Sequence, residues 1–140
     1  MGRDFRQIVW DDVLADDCRQ LVRLAVREDL ELEQDWTTVA LVPPGRVGAA
    51  DIVARQAGVV AGMPALVTAV DEMGAKLSLE LFVEDGQWVA ADTRLARISG
   101  DVRDLLTCER TLLNLLGRLR GIATLAAEFA KAIEGTWARI

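Results

Sequence analysis

Histidine and tyrosine are both absent from this 140-residue sequence. Without histidine, the chain has no Ser-His-Asp triad, no Cys-His pair, no histidine general base and no histidine-ligated metal site. Lysine occurs only as Lys76 and Lys131, whereas arginine supplies the other 14 of the 16 basic residues. The cationic side chains are therefore almost all guanidinium groups.

Cysteine is scarce as well. The only two cysteines, Cys18 and Cys108, lie in helix-like apolar patterns and not in a CxxC spacing. This placement favours two buried, reduced thiols. A disulfide or a catalytic thiol remains the open alternative.

Long hydrophobic runs and an excess of basic charge are also missing. No apolar run reaches the roughly 18 residues that a membrane span needs, and residues 1–4 carry no hydrophobic signal core. The formal net charge of −6 argues against non-specific nucleic-acid binding. We therefore expect a soluble cytoplasmic protein with no nucleic-acid or membrane partner.

Apolar residues are plentiful: they make up 51% of the chain, and the mean hydropathy is +0.20. A chain of this length can bury roughly two-thirds of its unfolded surface, which argues against disorder. The pattern of short strands and longer amphipathic segments predicts an α+β fold.

The first half of the chain predicts a helix, a turn, two strands and a second helix. The first helix covers 12–29, with Leu14, Cys18, Leu21, Val22 and Ala25 on its apolar face. A structured turn at 35–38 follows, then strands at 50–55 and 59–61, and a helix that opens at 62–64 and ends at Gly74.

The second half predicts a small antiparallel unit over 76–98, followed by helices. Alternating leucines mark a strand at 76–83, and Asp85-Gly86 is a turn signal. Asp101 is a candidate N-cap for a long, broadly apolar helix. Gly117 and Gly121 allow a break before a second helix over 122–134, and 136–140 resembles the start of a strand. We therefore expect the sequence to be cut off at the beginning of a further domain.

Arg110 is the most informative candidate site residue, because it lies among leucines in the long helix. One hypothesis is an internal network of Glu109, Arg110 and Asn114 that fastens this helix to its neighbours. The other is an arginine fork presented to a carboxylate or a phosphate, which the guanidinium geometry suits. Arg118 and Arg120 are more typical of solvated or rim charges.

Two further groups of carboxylates have simpler explanations. Glu28, Asp29, Glu31, Glu33 and Asp35 could suggest a divalent metal, but their spacing matches no EF-hand loop, so a solvated acidic loop is favoured. Asp85 is better explained by a hairpin turn than by an exposed functional carboxylate.

Several linked segments closely resemble quinolinate phosphoribosyltransferase, also called carboxylating nicotinate-nucleotide pyrophosphorylase. The most specific are residues 109–116 (Glu-Arg-Thr-Leu-Leu-Asn-Leu-Leu) and 121–125 (Gly-Ile-Ala-Thr-Leu). Further matching segments, in the same order as in the family, are 27–30, 35–38, 54–62, 85–89, 95–100 and 135–140. The resemblance thus covers nearly the whole chain.

The resemblance implies an N-terminal α/β sandwich (hammerhead-like) domain with a small antiparallel sheet and long helices. On this basis, residues 1–120 form that domain, and 121–140 form a connecting helix and the first strand of a β/α barrel that is otherwise missing. The implied reaction joins quinolinate to phosphoribosyl pyrophosphate with magnesium and yields nicotinate mononucleotide, carbon dioxide and pyrophosphate, a step of NAD synthesis. The implied assembly is a homodimer or a larger homo-oligomer.

By resemblance, Arg110 binds a quinolinate carboxylate across the dimer, while Glu109, Thr111 and Asn114 hold the helix in place. The resemblance assigns magnesium and the remaining site groups to the barrel, so we expect the 140-residue chain to be inactive alone. Arg120 departs from the family, where serine is usual.

Two alternatives stay open at this stage. One is a non-catalytic α/β module for binding or assembly, although the 76–98 unit has no lysine at its turn for biotin or lipoate. The other is a related phosphoribosyltransferase-like protein of molybdenum uptake.

Overall fold

A computed structural model describes residues 9–30 and 35–138. Within these ranges the chain forms four helices and five strands, as the α+β prediction requires. Their order is α1 (Asp12–Leu30), α2 (Trp36–Leu41), β1 (Val47–Val53), β2 (Gly58–Val59), α3 (Met63–Glu72), β3 (Leu77–Leu81), β4 (Trp88–Val89), β5 (Arg94–Asp101) and α4 (Val102–Ala132).

The strands form two antiparallel sheets. The larger sheet has the order β1-β5-β3, so that β5 is its central strand. The pairing of β3 with β5 confirms part of the antiparallel unit predicted over 76–98. The prediction is wrong for β4, which pairs with β2 in a separate two-stranded sheet where Val89 lies opposite Gly58. Val89 is buried there in the core, and this distant contact leaves no mark on the local pattern.

The hydrophobic core is centred on α3, which packs against both α1 and α4. Leu66 and Ala69 of α3 are completely buried. Strand β5 contributes Leu95, Ala96 and Ile98, while α4 contributes a stripe of three buried residues, Cys108, Leu112 and Leu116. The position of α4 is thus set by burial of one of its faces.

Helix α1 confirms the predicted helix over 12–29, but its buried stripe is narrower than expected. Ala15, Cys18 and Val22 are buried, whereas Leu21 is exposed and its placement on the inner face is wrong. The buried residues follow a spacing of three and four, and Leu21 lies about 100° around the helix from Val22.

Helix α3 begins at a glycine and takes its cap from another part of the chain. Gly62 has a φ of 104°, in the left-handed region, and carries no side chain that could cap the helix. Asp85 supplies the cap instead: its Oδ2 accepts from the N–H of Gly62 at 3.0 Å and its Oδ1 from the N–H of Met63 at 2.8 Å. The turn predicted at Asp85-Gly86 is thus also a tether between the β3–β4 connection and α3.

Replacement of Asp85 by alanine should lower the free energy of unfolding by about 1 kcal/mol, because two helix N–H groups lose their acceptor. Chemical denaturation of the purified chain measures this loss. Glu84→Ala is the matched control, since Glu84 is the exposed neighbouring residue and only its backbone groups make hydrogen bonds within the described residues. Equal stabilities for the two variants would contradict the capping role.

Helix α4 runs without interruption from Val102 to Ala132, so the break expected near Gly117 and Gly121 is wrong. Both glycines keep helical dihedrals, since neither has a positive φ. The helix starts where predicted, with the Asp101 side chain accepting from the N–H of Arg103 at 2.8 Å.

The strand expected over 136–140 does not form within residues 136–138. The N–H of Thr136 bonds to the carbonyl of Ile133, and the N–H of Ala138 bonds to the Thr136 hydroxyl. These groups therefore serve local turns and not a sheet. Arg139 and Ile140 lie outside the described residues, and the domain division at residue 120 stays a prediction.

Candidate functional site

Arg110 lies on the outer face of α4, two turns from the start of the helix. The next two residues, Thr111 and Leu112, are buried, whereas 74% of the Arg110 side chain is exposed. Neighbouring helix residues point about 100° apart, so a residue can be surrounded by leucines in sequence and still face solvent. The guanidinium is thus displayed at the surface.

The guanidinium of Arg110 has one ionic partner within the described residues. Its Nη1 donates to Oδ1 of Asp29 at 2.6 Å, and the Asp29 side chain is 22% exposed. Asp29 belongs to the last turn of α1, so the pair joins the end of α1 to the outer face of α4. Exposed ion pairs contribute about 0–1 kcal/mol to stability, so this pair affects geometry more than folding.

The internal network of Glu109, Arg110 and Asn114 is wrong. Among the described residues no hydrogen bond joins these three side chains, and all three are exposed. Thr111 alone of the motif's polar residues points into the core. The predicted supporting roles of Glu109, Thr111 and Asn114 stay predictions.

The neighbours of Arg110 on its face of α4 include exposed leucines as well as the exposed Asn114. Leu106 and Leu113, four residues before it and three residues after it, share its face of the helix and are both exposed. Further along the helix, Ile122, Leu125 and Phe129 are also exposed. This agrees with the broad leucine coverage in the sequence, and such a surface is typical of a face that another protein surface covers.

The motif at residues 35–38 forms the start of a helix, and not the turn that the sequence suggested. Asp35 caps α2: its carboxylate accepts from the backbone N–H of Thr38 at 3.0 Å and from the Thr38 hydroxyl at 2.6 Å. Both donors favour the charged form, and the hydroxyl contributes most to the lowering of the pKa of Asp35.

Helix α2 is held against α4 by Arg103. The guanidinium of Arg103 donates from Nε to the carbonyl of Val42 at 2.9 Å and from Nη2 to the carbonyl of Val39 at 3.0 Å. It therefore satisfies free carbonyls at the carboxyl end of the short helix. Arg103 and Arg110 are seven residues apart and share a face of α4. The last turn of α1, through Asp29, and the helix α2, through its carbonyls, thus attach to the same face of α4.

Sequence reasoning missed Asp29 and Arg103, the two residues that connect the last turn of α1 and the helix α2 with α4. Asp29 carried one signal, since an acidic residue in the last turn of a helix opposes the helix dipole. The solvated acidic loop that the sequence favoured is wrong for the described residues: Glu28 and Asp29 belong to α1, Asp29 pairs with Arg110, and Asp35 caps α2. Glu31 and Glu33 lie outside the described residues.

The cysteines are confirmed as buried free thiols. Burial raises the pKa of the Cys108 thiol to about 11, and burial also raises the pKa of Cys18. Both groups are therefore protonated at neutral pH. Because the thiolate is the reactive form, neither is suited to nucleophilic catalysis.

Arg120 lies beside an open cleft of about 320 Å³ between α4 and the segment before β2. Its Nη2 donates to the carbonyl of Gln56 at 3.3 Å, whereas its Nε is buried without a hydrogen-bond partner within the described residues. Gly117 and Gly121 also line the cleft. Arg118 is exposed on α4, as expected for a solvated charge.

The comparison with protein families decides the relationship of the chain. Residues 35–120 match the family model described as "Quinolinate phosphoribosyl transferase, N-terminal domain". The chain belongs to this family. The matched residues include α2, the sheets, α3 and the part of α4 that carries Arg103 and Arg110.

Curated relatives and solved structures agree with this assignment. The chain is 39% identical over 127 residues to the nicotinate-nucleotide pyrophosphorylase [carboxylating] of Mycobacterium leprae, a match that covers 89% of this chain and 45% of that protein. The probable enzyme of the same name from Methanothermobacter thermautotrophicus is 40% identical over 108 residues, or 75% of this chain and 37% of its own length. The chain thus spans less than half the length of these relatives.

Among solved structures, NadC from Streptococcus pyogenes superposes with a TM-score of 0.78 at 30% identity, over 89% of this chain and 44% of the other. The nicotinate-nucleotide pyrophosphorylase from Francisella tularensis gives the same TM-score at 26% identity, over 86% of this chain and 43% of the other. These matches confirm the fold expected from the resemblance. None of the helices in 9–30 and 35–138 has the length and apolarity of a membrane span.

The link between Asp35 and Thr38 predicts a pH dependence of stability. The pKa of Asp35 in the folded chain is below its ordinary value of 3.8. The stabilisation that the charged carboxylate provides is therefore present above pH 3.8 and is lost as the pH falls through the folded pKa. The difference in unfolding free energy between the wild type and Asp35→Ala should shrink over this acidic range, as measured by denaturation at several pH values. Thr38→Val removes the hydroxyl donor and should raise the folded pKa of Asp35, so that this stabilisation is lost at a higher pH. An unchanged pH profile in Thr38→Val would contradict the role assigned to the hydroxyl.

Proposed function

We propose that this chain supplies the substrate-covering N-terminal domain of a quinolinate phosphoribosyltransferase. The complete enzyme would convert quinolinate and phosphoribosyl pyrophosphate into nicotinate mononucleotide, carbon dioxide and pyrophosphate. The observation that carries the proposal is the exposed guanidinium of Arg110, within the family match and held by Asp29 at Nη1 only. Quinolinate is a dicarboxylate, and the guanidinium fork suits one of its carboxylates.

The surface around Arg110 supports a role in a shared site. The Arg110 side chain is 74% exposed in this chain. A guanidinium in open water binds a carboxylate weakly. If a second surface covers Leu106 and Leu113, water is excluded and the same interaction becomes stronger. We infer that the barrel of a neighbouring subunit provides this cover, in a homodimer or a larger homo-oligomer.

The resemblance implies magnesium together with phosphoribosyl pyrophosphate. Mg²⁺ is usually held by one or two carboxylates and the phosphates of its substrate. We therefore assign the metal to the barrel, which would bind phosphoribosyl pyrophosphate in the complete enzyme. A reducing cytoplasmic location is consistent with the two free thiols.

The matched relatives are named as nicotinate-nucleotide pyrophosphorylases, which supports this proposal over a phosphoribosyltransferase-like protein of molybdenum uptake. They also support it over a module used only for assembly.

The purified 140-residue chain should show no turnover of quinolinate with phosphoribosyl pyrophosphate and magnesium, because Arg110 is the only substrate-binding residue that we assign to it. Release of pyrophosphate measures turnover. A full-length chimera, in which residues 1–140 replace the matching segment of the Mycobacterium leprae relative, is the positive control. Turnover by the isolated chain would contradict the proposal that the other site residues lie in the rest of the enzyme.

In this chimera, Arg110→Ala should raise the KM for quinolinate by at least about tenfold, which corresponds to losing a charge-assisted hydrogen bond. The KM for phosphoribosyl pyrophosphate should change little. The thermal midpoint should be preserved, since the side chain is exposed. Arg118→Ala is the matched control, an exposed arginine two turns further along the same helix. An unchanged KM for quinolinate in Arg110→Ala would reject the assigned role.

A further inference from the structure

Asp29 binds one nitrogen of the Arg110 guanidinium and leaves the other two without a hydrogen-bond partner among the described residues. The contact of 2.6 Å joins Oδ1 to Nη1, and no hydrogen bond within the described residues uses Nε or Nη2. The guanidinium is planar and carries five N–H donors in a fixed fork. Fixing Nη1 therefore restricts the plane of the fork, while its Nε–Nη2 edge can still receive a carboxylate.

The location of Asp29 is unfavourable for stability alone. It lies in the last turn of α1, where the helix dipole disfavours negative charge. Asp35 and Asp101 lie where the dipole favours negative charge, as caps of α2 and α4, whereas Asp71 lies, like Asp29, in the last turn of a helix. The ion pair itself is too exposed at its arginine end to contribute much to folding. Its effect on the orientation of Arg110 is the better explanation.

We propose that Asp29 is a positioning residue, which sets the plane of the Arg110 guanidinium so that the Nε–Nη2 edge meets a substrate carboxylate. This inference rests on the proposed role of Arg110. The opposite role is that Asp29 competes with the substrate and must be displaced. The two roles predict changes of opposite sign in the KM for quinolinate.

The kinetic test uses Asp29→Asn in the full-length chimera. Loss of the carboxylate charge should raise the KM for quinolinate by about tenfold, since a guanidinium that is held only by a neutral amide acceptor is less restrained and must be ordered on binding. The kcat should stay within about twofold, because Asp29 does not touch the reacting atoms. Asp29→Glu should restore part of the affinity. A lower KM would show competition, and an unchanged KM would show no positioning; either result overturns the proposal.

The ion pair of Arg23 with Glu72 provides a matched control. It joins α1 to α3 at the same distance of 2.6 Å, and its arginine and carboxylate side chains are 63% and 17% exposed. Glu72→Gln therefore weakens a comparable contact that does not involve Arg110, together with a longer contact of 3.8 Å from Arg19 to the same carboxylate. A KM for quinolinate that rises equally in Glu72→Gln would show that the effect in Asp29→Asn is general destabilisation.

The failure of this inference is distinguishable from failure of the proposed function. If Arg110→Ala leaves the KM for quinolinate unchanged, the binding role of Arg110 is wrong. If Arg110→Ala raises the KM and Asp29→Asn does not, only the positioning role of Asp29 is wrong.

A second measurement uses the 140-residue chain itself and does not depend on the chimera. Nitrogen-15 relaxation of the Arg110 Nε–H, assigned by its absence in Arg110→Lys, reports the mobility of the side chain. Asp29→Asn should lower its order parameter, while Glu72→Gln should leave it unchanged. Equal mobility of Arg110 in the wild type and in Asp29→Asn would overturn the proposal.

Discussion

Burial of one face of α4 is the constraint on which the rest of this structure depends. Cys108, Leu112 and Leu116 fill the core against α3 and the sheets, and this fixes the rotation of the whole 31-residue helix. Because the rotation is fixed, Arg103 and Arg110 must face outward. The inner stripe of leucines therefore determines the direction of the candidate binding residue, which makes no core contact of its own.

The acidic excess of the chain has a structural use. Asp35, Asp85 and Asp101 each accept hydrogen bonds from backbone N–H groups at the start of a helix. Asp104 accepts in the same way from the N–H of Lys76, and so connects α4 to the segment before β3. These four of the 22 acidic residues thus fix the ends and connections of elements.

The sequence was sufficient for those features that depend on local periodicity. The alternating leucines of β3, the extent of α1 and the N-cap at Asp101 are of this kind, and each has a local signal in the sequence. The pairing of β4 with β2 was not predictable, because it depends on the burial of Val89 in a core assembled from distant elements. The continuity of α4 was missed for a related reason, since intrinsic propensity at Gly117 and Gly121 is overridden by packing along the helix.

The candidate site, too, was predictable from the sequence only in part. The sequence motif and the family resemblance both singled out Arg110. From the residues alone, an internal network with its neighbours along the chain and an arginine fork for a carboxylate or a phosphate were both open. The neighbours in space are Asp29, 81 residues earlier in the chain, and two exposed leucines. A guanidinium beside exposed leucines is a poor arrangement for a surface that stays in water. In the proposed assembly another surface covers the leucines, and the exclusion of water that buries them also strengthens the attraction between Arg110 and a carboxylate. The apolar face and the cation would then be two parts of one binding surface.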